Sequence, residues 1–256
     1  MEKQTITITW GDRAENNVGM EMIGTAAAEG FSVADLKSYQ YKFEKLGARC
    51  EFVDLVDSAK LPAEVEATSA ALLIIRGGVD ILLGSSATAA LFEELSALEW
   101  DKKAKMKGRV VNKKARHNLC FSDNDQVAEY EAGKGTIVAY NKVPLLKQTK
   151  DRLGEILGDK AKGLVGEGNH YYDIEKCSIK FHGDFERTKV IALRVGAPFP
   201  LHYQWYQRSE RIGEWMTFDL NGGDAYIMSE KAVGQDWKKK KIATLRHAAG
   251  PEKLVK

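Results

Sequence analysis

The sequence predicts an α+β protein, with a small α/β unit over residues 1–100 followed by a basic, β-rich roll over residues 101–256. Three observations predict it. Strand-like and helix-like segments alternate through the first hundred residues. Eight basic residues and a single acid crowd into residues 101–116, marking a boundary. From residue 169 onward, short β-rich segments recur at the spacing of a sandwich or a barrel-like roll.

The elements follow in order. Residues 4–9 alternate polar and β-branched apolar side chains, which reads as a strand. Residues 32–47 read as a helix: Ser32 or Asp35 caps it, Leu36, Tyr39, Phe43 and Leu46 recur at helical spacing, and Gly47 ends it. Cys50–Val56 and Leu72–Arg76 read as strands, and residues 87–97 as a short helix. Residues 143–157 form one amphipathic helix opened by Pro144, with Leu146, Leu153, Ile156 and Leu157 on its apolar face. Strands are expected over 177–181, 189–195, 201–206, 214–220, 225–228 and 242–247.

Composition narrows the function. The chain of 256 residues has 44% hydrophobic and 29% charged residues, ordinary for a globular protein. No stretch approaches the roughly 18 apolar residues of a membrane span. The first residues lack an apolar signal core, so an intracellular location, cytoplasm or nucleus, is expected. Three widely spaced cysteines exclude a disulfide scaffold and a four-cysteine zinc site. The net charge of +2 hides an asymmetry: residues 1–100 carry 8 Lys+Arg against 16 Asp+Glu, and residues 101–256 carry 30 against 20. A basic half suits contact with an anion such as nucleic acid, or simply a solvated surface. The 101–116 run has the same two readings, a phosphate-contacting strip or a solvated linker.

The sharpest local signal is Phe181-His182-Gly183-Asp184-Phe185-Glu186-Arg187. Histidine and aspartate at i and i+2 of a strand project to one face, where an imidazole nitrogen and a carboxylate oxygen can share a cation. A second histidine would complete the two-histidine, one-carboxylate set of non-haem Fe(II) sites. The other histidines are His117, His170, His202 and His247.

Context extends the motif. Asn169-His170-Tyr171 precedes it. Val190–Gly196, then Leu220-Asn221-Gly222-Gly223-Asp224 leading into Ala225–Ser229, then Leu245-Arg246-His247 follow it. This order resembles the AlkB-like branch of the Fe(II)/2-oxoglutarate dioxygenases over roughly residues 110–250. The resemblance implies a double-stranded β-helix (jelly-roll) oxygenase core preceded by the small α/β domain. It implies His182, Asp184 and His247 as iron ligands, and Asn169 and Tyr171 as hydrogen-bond partners of 2-oxoglutarate. It also places Glu186 and Arg187 at the substrate mouth. The family's distal arginine, which pairs with the far carboxylate of 2-oxoglutarate, has no counterpart after His247. Lys253 is the expected cation there, acting as a point charge. Arg116-His117-Asn118-Leu119-Cys120-Phe121 is similar to the family's anchoring strand but lies before the ligands, so a rearranged connection that brings Arg116 to the cosubstrate is an alternative.

The resemblance therefore implies an enzyme that uses Fe(II), 2-oxoglutarate and O2 to hydroxylate or oxidatively demethylate its substrate, with a nucleic-acid base favoured by the basic second half. A protein or small-molecule hydroxylase, and a non-catalytic nucleic-acid-binding module on the same fold, are the alternatives.

Overall fold

The structure, a computed structural model, describes residues 3–256. Along the chain come β1 (Thr5–Gly11), a hairpin of β2 (Arg13–Glu15) and β3 (Met22–Gly24), and α1 (Val33–Lys45). Next come β4 (Arg49–Asp54), β5 (Ala71–Arg76), α2 (Gly78–Leu83) and α3 (Ala87–Ser96), then a second hairpin of β6 (Lys103–Met106) and β7 (Arg109–Asn112). Then follow β8 (His117–Ser122), β9 (Ile137–Ala139), α4 (Pro144–Leu157), β10 (Val165–Tyr171), β11 (Ile179–His182) and β12 (Val190–Gly196). The last elements are β13 (Phe199–Gln207), β14 (Glu210–Leu220), β15 (Ala225–Met228), α5 (Glu230–Val233), β16 (Thr244–Ala249) and α6 (Glu252–Val255).

The result is a sheet-rich α+β architecture. An eight-stranded sheet has the order β4-β5-β15-β12-β1-β10-β8-β9, and a four-stranded sheet has the order β11-β16-β13-β14. The period-2 alternation of strand side chains divides the interior into two cores. On β1, Ile6, Ile8 and Trp10 join Ile191, Leu193 and Val195 of β12 in a core shared with α1, α3 and α4. The opposite face of the same strands points at the smaller sheet, where Val190 and Ala192 meet Leu201, Tyr203, Trp205 and Leu245. The site lies in this inter-sheet layer.

Local chemistry explains the helices. Ser32 Oγ accepts from Asp35 N at 3.0 Å while Asp35 Oδ2 accepts from Ser32 N at 2.7 Å, a reciprocal capping box that starts α1. Pro144 opens α4, and the Glu94 carboxylate accepts from Leu145 N and Leu146 N, both at 2.9 Å, which satisfies free amides at the helix start.

Two expectations are corrected here. The boundary at residue 100 does not separate two domains, because β1, β4 and β5 are members of the same sheet as β8, β10, β12 and β15. Backbone pairing across the chain has overridden the charge break. The basic run 101–116 is not a linker either: it folds into the β6–β7 hairpin, buries Ala104, and sends Lys113 inward. No helix among the described residues is long and apolar enough to cross a membrane.

Candidate metal centre and its two pockets

β11 and β16 are antiparallel neighbours in a register that sets His182 directly opposite His247. Their ring centroids lie 4.5 Å apart. Asp184 follows just beyond the end of β11, and its backbone N–H donates to the Val233 carbonyl at 3.0 Å. Gly183 is required between the two ligands. A Cβ there would stand 2.0 Å from the Gly234 carbonyl oxygen, so the chain passes too close for any side chain. The three candidate ligand atoms all lie within 4.8 Å of one another. Asp184 Oδ1 is 3.3 Å from His182 Nε2 and 3.5 Å from His247 Nε2. Donors bound at about 2.1 Å and at right angles around one centre stand about 3 Å apart, so this set fits a divalent metal.

The surroundings prepare the donors. His182 Nδ1 lies 2.8 Å from the Lys180 carbonyl, which selects the tautomer protonated at Nδ1 and leaves the Nε2 lone pair free. Burial alone would raise the Asp184 pKa. The Arg187 guanidinium and the two imidazoles outweigh it and hold the carboxyl well below the usual range, ready as an anion. Burial lowers the pKa of His247 against the pull of Asp184, which favours the neutral, metal-binding form. Arg187, itself 3% exposed, is bound by the carboxylates of Glu167 and Glu186 and lies 3.6 Å from Asp184.

Behind the ligands is a cavity of about 60 Å³ that all three line. Thr7 and Thr9 of β1, Asn169 and Tyr171 of β10, Arg194 of β12 and Tyr226 of β15 complete its polar wall. Asn169 Oδ1 accepts from Asn118 Nδ2 at 2.8 Å and from Arg116 Nε, and its amide donates to Glu167 at 3.0 Å. Arg194 is 1% exposed. Its hydrogen bonds go to Thr7 Oγ1 at 3.2 Å and to the Phe199 carbonyl, and no carboxylate pairs with it among the described residues. Burial pulls its pKa down and outweighs the opposing pull of Tyr226, Tyr171 and Asp224, as expected for a strongly desolvated cation.

In front of the ligands, a second pocket of about 380 Å³ opens to solvent. His182, Asp184 and Arg187 belong to both pockets, so they are continuous. Its outer wall includes Glu15, the turn after it, Arg116, Phe185, Glu186, Trp237 and Lys238.

The structure thus brings His182, Asp184, His247, Asn169 and Tyr171 to one cavity. It does not bring Lys253 there. That residue is exposed on α6, whose inward side chain is Val255. Arg116 lines only the outer pocket; of the two arginines in the inner cavity, Arg187 is held by carboxylates and Arg194 is not. Sequence reasoning missed Arg194, Thr7, Tyr226 and Glu15. The available signal for Arg194 was a lone cation inside the otherwise apolar strand Val190-Ile191-Ala192-Leu193-Arg194-Val195, where a buried charge needs a reason. His202 is accounted for by the fold: its ring nitrogens meet Thr217 Oγ1 at 2.9 Å and the Gly250 carbonyl at 2.7 Å.

No protein-family model matches the chain. Over 257 residues it is 48% identical to an uncharacterized protein of Acanthamoeba polyphaga mimivirus, an alignment that spans 99% of this chain and 98% of that protein.

Proposed function

The chain belongs to the family of that mimivirus protein, and from the chemistry of the site we propose that it is an Fe(II)- and 2-oxoglutarate-dependent oxygenase. One observation carries the reading: a single cavity is lined both by His182, Asp184 and His247 and by a buried arginine that has no carboxylate of its own. Two imidazoles and a carboxylate are the donor set of non-haem Fe(II) oxygenases and leave positions open for other ligands. Iron bound there would supply the activation of O2, coupled to decarboxylation of the 2-oxo acid, that hydroxylates or oxidatively demethylates a C–H-bearing group.

The protein's own side chains do the rest. Arg194 offers a charge-assisted fork to the far carboxylate of the 2-oxo acid. Tyr171, Tyr226 and Thr7 present hydroxyls in the same wall. Val190, Leu201 and Met228 keep that wall poor in water, which strengthens each of these interactions. Arg187 neutralises Glu167 and Glu186 and steadies Asp184.

The fold is read with the function. Eight antiparallel strands in two facing arrays, β10-β1-β12-β15 and β11-β16-β13-β14, support a double-stranded β-helix. In it the first strand of the chain, rather than the last, fills the slot between β10 and β12. The favoured substrate is a nucleic-acid base. Trp237 and Phe185 stand in the outer pocket with the Lys238 ammonium over both rings, at 5.5 Å and 4.7 Å, and with Arg116 they set aromatic surface beside positive charge suited to a base and its phosphate backbone.

The test is succinate release from 2-oxoglutarate under Fe(II) and O2, across methylated DNA, methylated RNA, nucleosides and peptides. The wild-type protein is expected to turn over and Asp184→Ala is not. Turnover that survives Asp184→Ala, or iron binding with no succinate for any substrate, refutes the reading.

A further inference from the structure

The outer pocket carries a recognition group that the oxygenase reading leaves unused. Glu15 ends β2 and stands in the pocket wall, with Asp184 and His182 also lining that pocket. The next residue is pinned. Asn16 is buried, its amide donates to Asp101 at 2.7 Å, and its side-chain oxygen accepts from Lys113 at 2.6 Å. The turn that presents Glu15 is therefore fixed at its base. Yet the Glu15 carboxylate has only one weak hydrogen bond, from Gly19 N at 3.3 Å, and no cation pairs with it among the described residues.

A second group in the same pocket also lacks a partner. Arg187 is 3% exposed, its Nε and Nη2 are taken by carboxylates, and its Nη1 has no hydrogen-bond partner among the described residues. A half-buried free acceptor and a buried free donor lining one pocket complement a ligand with a donor and an acceptor side by side. Phe185, 62% exposed, adds an aromatic wall for a flat ligand, with Lys238 over its ring at 4.7 Å.

We infer that Glu15 is a specificity-determining residue that accepts a hydrogen bond from a nitrogen donor on a planar, amide- or amidine-type edge of the substrate. The pocket therefore selects such an edge over a carboxylate. The inference rests on the proposed oxygenase function only for the identity of the reacting centre next door.

The experiment uses three flat, nearly isosteric probes: benzamidine, benzamide and benzoate. Binding to the full-length protein is followed by tryptophan fluorescence, with Trp237→Phe locating the response. It is measured with Mn(II) and 2-oxoglutarate filling the inner cavity, and again with neither added. Wild type is expected to prefer benzamide, whose amide edge offers a donor to Glu15 and an acceptor to Arg187, over benzoate, which offers no donor, by at least about fivefold, and to bind benzamidinium, which has no acceptor for Arg187, no more tightly than benzamide. Glu15→Gln, isosteric and uncharged, is expected to bring benzamide and benzoate within about twofold of each other, with Glu15→Ala as a second variant. An unchanged preference in Glu15→Gln, or none in wild type, overturns the assignment. A preference that persists while Mn(II) fails to bind leaves Glu15 in its role and overturns the oxygenase reading instead.

Discussion

Replacing Arg194 by Met tests the inner cavity most directly, because two opposed effects are expected from one change. The guanidinium is fully desolvated and makes two hydrogen bonds inside the protein, to Thr7 and Phe199. Losing them costs on the order of 1 kcal/mol each, offset by removal of a buried charge that lacks a counter-ion. The ligand-free variant is therefore expected to melt within a few degrees of wild type. Binding is a different matter. Truncating one partner of a buried charge pair costs about 2 kcal/mol or more, roughly a 30-fold rise in Kd. At 2-oxoglutarate concentrations near 100 times the wild-type Kd, the ligand stabilises wild type by about 2.7 kcal/mol. For a chain of this size that is a rise in Tm of roughly 5–10 °C. At the same concentration the variant retains about 0.9 kcal/mol, or roughly 2–4 °C. Differential scanning fluorimetry of the Mn(II)-loaded proteins, with and without 2-oxoglutarate, reads both numbers. An unchanged ligand shift in Arg194→Met, or collapse of the ligand-free protein, would refute the reasoning by making the arginine a structural residue.

Further outcomes are expected. Asp184→Asn keeps the shape but removes the anion, and since losing an outer partner of a ligand already weakens metal binding by about 10–100-fold, Fe(II) or Co(II) affinity measured by calorimetry falls by at least about 100-fold. Gly183→Ala forces a methyl group against the Gly234 carbonyl and destabilises the fold by about 1–3 kcal/mol in urea unfolding, with metal affinity falling in parallel. Glu15 is pushed up to about 7 from 4.5, first by burial and then by Glu186 and Glu167. A carboxyl that holds its proton more tightly folded than unfolded favours the fold at low pH, and that advantage is lost as pH rises from about 4.5 through 7. Glu15→Gln is therefore expected to match wild type near pH 4 and to exceed it at pH 8. After discounting for solvent the gain is about 1 kcal/mol, or roughly 2–4 °C in Tm. An equal gain at both pH values would contradict the assignment.

The candidate metal ligands could be read from the sequence because each belongs to a local pattern. His182 and Asp184 are two residues apart at a strand end, and His247 closes the last strand-like segment. Many strands and helices were legible for the same reason, since alternation on β1 and the Ser32–Asp35 box on α1 are local facts, but β10 and the β6–β7 hairpin were not read as strands. What could not be read is set by pairing between distant segments. Chain order makes Lys253, after His247, the expected counter-charge, whereas the cavity takes Arg194 from β12, held by Thr7 from β1. That contact exists only because Thr7 and Arg194 are register partners 187 positions apart. The charge break near residue 100 misled for a related reason: surface charge is set hairpin by hairpin, while sheet membership is set by backbone pairing.

The central position of β1 constrains how this protein can be made. Thr5–Gly11 leaves the ribosome long before its two neighbours in the sheet, Val165–Tyr171 and Val190–Gly196. Closing such long loops delays pairing. Until those neighbours emerge, β1 waits as an unpaired, β-branched segment, a species prone to capture by other chains. Once seated it acts as a keystone. Removing it strips Thr7 and Thr9 from the cavity wall and parts the larger sheet in the middle, so even a short deletion at that end costs the site as well as the scaffold.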